Sequence, residues 1–133
     1  MSLPVPYTGF KPVAFIDYEN IGQLSKLNFH HYSHIMLFVG AKQRQVDVPL
    51  GYDHPLVMTL VKIQKRAKNS LRSHLTYYLG LLDSRLDKKV VFEVISSDKG
   101  VESLLSHLIN NGRRCFQTNL NGVKKPSQSQ IGG

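Results

Sequence analysis

One short apolar run that stops on a carboxylate, residues Val13–Asp17, constrains the fold of this chain more than any other stretch. Its β-branched and aromatic residues, bounded by Pro12 and by polar residues, predict a short buried strand. A continuous apolar run is typical of a central parallel strand that is covered on both faces. Because ligands of open α/β sheets bind beyond the carboxyl ends of the strands, the sequence predicts a site at Asp17.

Asp17 is followed by Glu19 and Asn20, and these oxygen-bearing side chains allow two interpretations. Oxygen ligands this close together suit a hard cation such as Mg²⁺ or Mn²⁺. The same residue types also cap helices and shape turns, in which case Asp17 and Asn20 have a purely structural role. The stretch itself favours neither interpretation.

The length of the chain, 133 residues, fits one domain and leaves little room for two. We expect an extended lead-in over 1–12, a folded domain over 13–118 and a disordered basic tail or linker over 119–133. No apolar run reaches the length of about eighteen residues that a membrane span needs. The single cysteine, Cys115, excludes an intramolecular disulfide, and with no export signal visible we expect a cytoplasmic protein.

The charge of the chain favours a polyanionic partner, because 17 Lys and Arg oppose 9 Asp and Glu for a formal charge of +8. A cluster of four cations leads into a predicted helix, and it consists of Lys62, Lys65, Arg66 and Lys68. Such a cluster is usually a solvated face, but its position leaves a phosphate-facing role open. Arg113 and Arg114 are expected on a solvated basic face as well.

Three further apolar runs predict strands, at 35–39, 56–63 and 90–95, and residues 114–117 are expected to form a last short edge strand. Apolar side chains at helical spacing predict a long helix from Asn69 to about Leu86, with Asn69 as its N-cap. A second helix is expected from about Lys99 to Asn111, and a weak one over 22–27. Strands that alternate with helices predict an α/β fold with a parallel sheet covered on both faces.

A second carboxylate, Asp98, follows the fourth predicted strand. If the first and fourth strands are neighbours, Asp17 and Asp98 converge at one edge of the sheet. Two acids that meet without a basic partner repel each other, and a divalent cation is the usual compensation. Glu102 lies one helical turn beyond Asp98 and can face the same place. Arg72 is unfavourable in the first turn of the long helix, so a nearby acid or a bound anion is expected to compensate it.

Three stretches in this order resemble the PIN-like nuclease superfamily, and most closely its bacterial NYN/PIN-like proteins. They are residues 15–21, residues 68–71 running into 74–80, and residues 95–100, within a similarity that spans roughly 13–116. The resemblance implies a PIN-like, Rossmannoid three-layer sandwich with a mainly parallel sheet in the strand order 3-2-1-4-5. It also implies an acidic cluster that holds Mg²⁺ or Mn²⁺ for endonuclease cleavage of RNA.

Carried over onto this chain, the resemblance implies catalytic and metal-binding roles for Asp17 and Asp98, and a weaker metal-binding role for Glu102. Side chains beside the acids and in the cationic cluster are the expected nucleic-acid contacts: Asn20, Lys62, Lys65, Arg66, Lys68, Asn69, Arg72, Ser96 and Lys99. The chain departs from the family pattern at Arg72, where the relatives carry an aspartate just inside the long helix.

The direction in which the Arg72 side chain points distinguishes two predicted functions. If Arg72 points into the cleft, it replaces part of a cation's charge and binds phosphate, which gives a nucleic-acid-binding relative with little catalysis. If it turns away, the three acids can hold one ion and support a metal-dependent endoribonuclease. A third alternative is a protein-partner-binding module whose acids only cap helices. RNA is the expected partner ahead of DNA, and a homodimer or a further domain beyond the tail stays open.

Overall fold

The computed structural model of the protein describes residues 11–43, 45–48, 57–64 and 70–120. The described strands are β1 (Val13–Asp17), β2 (His34–Val39), β3 (Met58–Lys62), β4 (Phe92–Ile95) and β5 (Cys115–Thr118). The described helices are α1 (Tyr18–Ile21), α2 (Ser70–Arg85) and α3 (Val101–Asn110), with a 3₁₀ turn at Phe29–His31. Within these ranges no helix combines the length and the apolar character that crossing a membrane requires.

The strands form one five-stranded sheet in the order β3-β2-β1-β4-β5, and every pairing is parallel. The central strand β1 pairs Val13 with His34 of β2 on one side and with Phe92 of β4 on the other. The predicted α/β class and the strand order 3-2-1-4-5 are therefore confirmed. Because all strands point the same way, Asp17 shares one edge of the sheet with the ends of its neighbours.

The two faces of β1 belong to two separate hydrophobic cores, which explains why the strand is an unbroken apolar run. Val13 and Phe15 pack in the core that also contains the buried leucines of α2 and α3. Ala14 and Ile16 pack in the core on the opposite face, with Tyr18 of α1 and the segment that follows it. All five residues of β1 are buried. The central strand thus sets the three layers of the fold.

The predicted helix over 22–27 is wrong, because the helical turn comes earlier in the chain. Asp17 caps α1 by accepting a hydrogen bond from the backbone N of Asn20. Gly22 then ends the helix in the left-handed region at φ 75°, a conformation that glycine adopts without a steric cost. The strands β3 and β4 also begin two residues later than the apolar runs suggest, at Met58 and Phe92.

Arg113 is a buried residue, so the expectation that it lies on a solvated face is wrong. Its side chain is 0% exposed, its Nε donates to Asp83 Oδ1 at 2.7 Å, and its guanidinium carbon lies 4.3 Å from the centre of the Phe92 ring. The other guanidinium nitrogens donate to the backbone carbonyls of Asp83, Leu86, Asp87 and Val90. Because these carbonyls belong to the end of α2 and the turn after it, Arg113 satisfies the helix C-terminus and joins it to β5.

We expect Arg113→Ala to lower the free energy of unfolding by about 3–5 kcal/mol, since it leaves several buried carbonyls without their donor and removes one of the two cations paired with Asp83, the other being Lys88. Urea denaturation followed by circular dichroism measures the change. Arg114→Ala is the matched control, because Arg114 is exposed and its removal should stay within about 0.5 kcal/mol of the wild type. Equal stability of the two variants would contradict the role assigned to Arg113.

Candidate functional site

Asp17, the last residue of β1, is a buried carboxylate with both oxygens hydrogen bonded. It is 2% exposed. Its Oδ1 accepts from the backbone N of Asn20 at 3.3 Å, and its Oδ2 accepts from Asn20 Nδ2 at 2.8 Å and from Ser96 Oγ at 3.2 Å. The capping interpretation of Asp17 and Asn20 is therefore correct, and it coexists with a second set of contacts toward β4.

The surroundings of Asp17 raise its pKa. Burial is the main cause, and the negative charge of Asp98 adds to it, whereas the hydrogen bonds from Asn20 and Ser96 act in the opposite direction. In the described part of the chain, no cationic side chain forms an ion pair with Asp17. Within the described residues, Asp17 is thus a buried acid that is stabilised by hydrogen bonds and by no ion pair.

Ser96 joins the segments that carry the two acids. Its hydroxyl donates to Asp17 Oδ2 and accepts from the backbone N of Asp98 at 3.1 Å. Gln117 of β5 fixes the same segment, because its Nε2 donates to the backbone oxygens of Ser96 at 2.7 Å and of Asp98 at 3.0 Å. The structure therefore brings Asp17, Ser96 and Asp98 together at the carboxyl edge of β1 and β4, although Asp98 lies three residues beyond the end of β4.

Asp98 forms a bidentate ion pair with Arg72. Arg72 Nε donates to Asp98 Oδ2 at 3.0 Å, and Arg72 Nη2 donates to Oδ1 at 2.9 Å. Oδ1 also accepts from the backbone N of Gly100 at 2.9 Å. The pair is partly open to solvent, with side chains 41% exposed for Arg72 and 25% for Asp98. The hydrogen bond from Arg72 is the main reason why the pKa of Asp98 is lowered.

Arg72 points toward the acids, and the local backbone leaves room for it. The first turn of α2 contains no acidic residue, so the compensating charge comes from Asp98 across the cleft. Gly100 lies directly against the guanidinium, and a Cβ at this position would collide with it. The compensating acid that the sequence predicts for Arg72 is therefore present.

This arrangement does not fit a divalent cation. Asp98 already binds a guanidinium through both oxygens, and Asp17 accepts hydrogen bonds through both of its own. No group of three or more His, Cys, Asp or Glu side chains in the described ranges is arranged to hold a metal ion. Glu102 is exposed and lines a groove of about 590 Å³ that Asp17 and Asp98 do not line.

The structure describes two of the six remaining residues that were predicted to contact nucleic acid. Lys62, at the end of β3, donates through Nζ to the backbone oxygen of Gln43 at 2.7 Å. Lys99 is exposed and lines the groove between α3 and β5. Four other predicted contacts lie outside the described residues, namely Lys65, Arg66, Lys68 and Asn69.

Sequence reasoning missed the supporting roles of Gln117 and Gly100. The spacing of Asp98 and Gly100 is a signal that could have found the second, because an Asp side chain often binds the backbone N two residues ahead in a turn. No local pattern marks Gln117, whose role depends on the pairing of β4 with β5.

Comparison with known families gives one match. A family model described as a PIN domain (PIN7) matches residues 11–118. No curated protein matches the chain. No solved structure matches it. The matched range includes all strands from β1 to β5, both acids and Arg72, so the candidate site lies inside the region on which the family is defined.

The two acids should have opposite effects on stability at neutral pH. Because the pKa of folded Asp17 is raised, its ionisation costs the folded state stability as the pH rises above the ordinary value of 3.8. We therefore expect the free energy of unfolding of Asp17→Asn, relative to that of the wild type, to increase as the pH rises above 3.8. The difference should become constant above the pKa of folded Asp17. Because the pKa of Asp98 is lowered, its ionised form is stabilising above that value, and Asp98→Asn should be less stable at pH 7.

Urea denaturation of both variants and the wild type between pH 4 and pH 7.5 measures these effects. A stability difference between Asp17→Asn and the wild type that does not change with pH, or that falls as the pH rises, would show that folding does not raise the pKa of Asp17.

Proposed function

This chain belongs to the PIN domain family, and from that premise we propose that it binds single-stranded RNA at the carboxyl edge of β1 and β4, with weak or absent metal-dependent cleavage. PIN domains are nuclease-type domains, which supports nucleic acid as the ligand. The observation that carries the proposal is the orientation of Arg72, whose guanidinium lies in the cleft and pairs with Asp98.

The chemistry of Arg72 suits a phosphate ligand. A guanidinium presents its N–H donors as a planar fork that matches phosphate and carboxylate oxygens equally well, so Asp98 occupies donors that a phosphate can also use. Arg72 remains 41% exposed, which allows a phosphodiester to approach it from solvent. Breaking a solvent-exposed ion pair costs little free energy, so an RNA phosphate can replace the Asp98 carboxylate at Arg72.

The charge of the chain supports the same ligand. A formal charge of +8 attracts a polyanion from a distance, and this attraction weakens with salt. Lys62 is the last residue of β3, and the exposed Lys99 follows Asp98 beyond the carboxyl end of β4, so both lie toward the same edge of the parallel sheet. We propose that an RNA backbone runs along this edge. RNA rather than DNA follows from the family resemblance, so DNA belongs in the test as a competitor.

A second candidate is a metal-dependent endoribonuclease. PIN domains are in general dependent on divalent metal ions, and Asp17 has no cationic partner among the described residues. In this candidate Mg²⁺ or Mn²⁺ would supply an activated water and charge relief at the phosphate. The two candidates differ in what they require of Asp98, which is a ligand in the second and only a counter-ion in the first.

For the binding proposal, we expect fluorescence anisotropy with labelled oligouridine in EDTA to show affinity that falls steeply with salt. Arg72→Ala should weaken binding by about tenfold and reduce the salt slope by about 1, because one phosphate contact is lost. Arg85→Ala, at the other end of α2 and roughly 20 Å away, removes the same charge and should change affinity little. Absence of salt-dependent binding to RNA and to DNA would contradict the proposal and favour a protein partner.

Asp98→Asn separates the two candidates. If Asp98 is only a counter-ion, its neutralisation frees Arg72, and RNA binding should stay as tight or become tighter. If Asp98 is a metal ligand, the wild type should cleave RNA with Mn²⁺ and the variant should not. Cleavage of equal rate in both preparations would point to a contaminating nuclease.

A further inference from the structure

The candidate cleft gathers negative charge that needs a counter-ion. The Ser96 hydroxyl donates to Asp17 Oδ2 and accepts from the backbone N of Asp98, and the negative charge of Asp98 contributes to the raised pKa of Asp17. A cation between or beside two such carboxylates lowers their repulsion. In the described structure the only ion pair at this edge is the one that Arg72 forms with Asp98.

We infer that the guanidinium of Arg72 takes the place of a divalent cation in this cleft, so that the Arg72–Asp98 ion pair excludes metal and removal of Arg72 uncovers a metal site. The inference goes beyond RNA binding, because it concerns an ion in the absence of any nucleic acid. It gives a structural reason for the weak or absent metal-dependent cleavage proposed above.

The hydrogen-bond geometry at Asp98 supports the exclusion. Oδ1 accepts from Arg72 Nη2 and from the backbone N of Gly100, which uses both of its lone pairs, and Oδ2 accepts from Arg72 Nε. A divalent ion needs carboxylate oxygens that are free to coordinate it. It would also be repelled by a positive charge in contact with its ligand. Metal binding therefore requires Arg72 to leave first.

The segment that carries Asp98 is held in place beside Arg72 by its own contacts. The guanidinium lies against Gly100, where an added Cβ would require the guanidinium to shift. Gln117 and Ser96 hold the backbone of the Asp98 segment in place beside it. These contacts do not involve Arg72, so the backbone that carries Asp98 should stay beside Asp17 when Arg72 is removed.

Titration with Mn²⁺, followed by the electron paramagnetic resonance signal of free Mn²⁺ in the absence of RNA, tests the inference. The wild type should show no saturable site in the low millimolar range. Arg72→Ala and Arg72→Gln should bind Mn²⁺ at least tenfold more tightly. Arg72→Lys keeps the charge and should continue to exclude the ion. Arg72→Ala combined with Asp98→Asn should lose the site again, and Arg85→Ala controls for the loss of one positive charge on the same helix.

Three outcomes would overturn the inference: saturable Mn²⁺ binding by the wild type that Asp98→Asn removes, no gain in either Arg72→Ala or Arg72→Gln, or an equal gain in Arg85→Ala. Circular dichroism confirms that each variant is folded, and saturable Mn²⁺ binding by the wild type that Asp98→Asn removes overturns the inference whether or not the Arg72 variants fold. RNA binding in EDTA is measured separately, so failure of this inference and failure of the proposed function give different results.

Discussion

The burial of β1 on both faces is the constraint from which the rest of the structure follows. A strand that packs into two cores needs a covering layer on each face, and because the neighbours of β1 are parallel to it, its end lies at one edge with theirs. Asp17 is the point at which this buried strand meets polar side chains. Its carboxylate is desolvated, and Asn20 and Ser96 supply the hydrogen bonds that make an ionised group tolerable there.

The charge of the cleft is then set by one position. An aspartate at the place of Arg72 would add a third carboxylate beside Asp17 and Asp98, and such a cluster calls for a divalent ion. An arginine there reverses the sign of that contribution and satisfies one acid directly. The sign of the charge in the first turn of α2 is therefore what, in our proposal, directs this cleft toward a phosphate and away from a metal ion.

The sequence predicts the strands from β1 to β4 well, because each contains a short apolar run between polar stretches, while the strand order comes from the family resemblance. It predicts that Arg72 needs a compensating acid, but the partner depends on the packing of α2 beside the β4–α3 turn. It fails at Arg113, whose acceptors lie in residues 83–90 and become adjacent only when α2 ends beside β5. The closer resemblance to NYN proteins, the cytoplasmic location and the roles of the cations at 65–68 stay predictions.

The two Arg–Asp pairs show how burial separates a structural ion pair from an exchangeable one. Arg113 is completely buried, donates to carbonyls as well as to Asp83, and has no route by which another anion can replace that acid. Arg72 pairs with Asp98 through the same kind of fork, yet both side chains face solvent in part. Removing the carboxylate partner of a buried guanidinium leaves a desolvated charge without its counter-ion. Replacing Asp98 by a phosphate at Arg72 exchanges one partly hydrated anion for another. The exposure of the pair, more than its geometry, is therefore what makes Arg72 suited to bind a ligand.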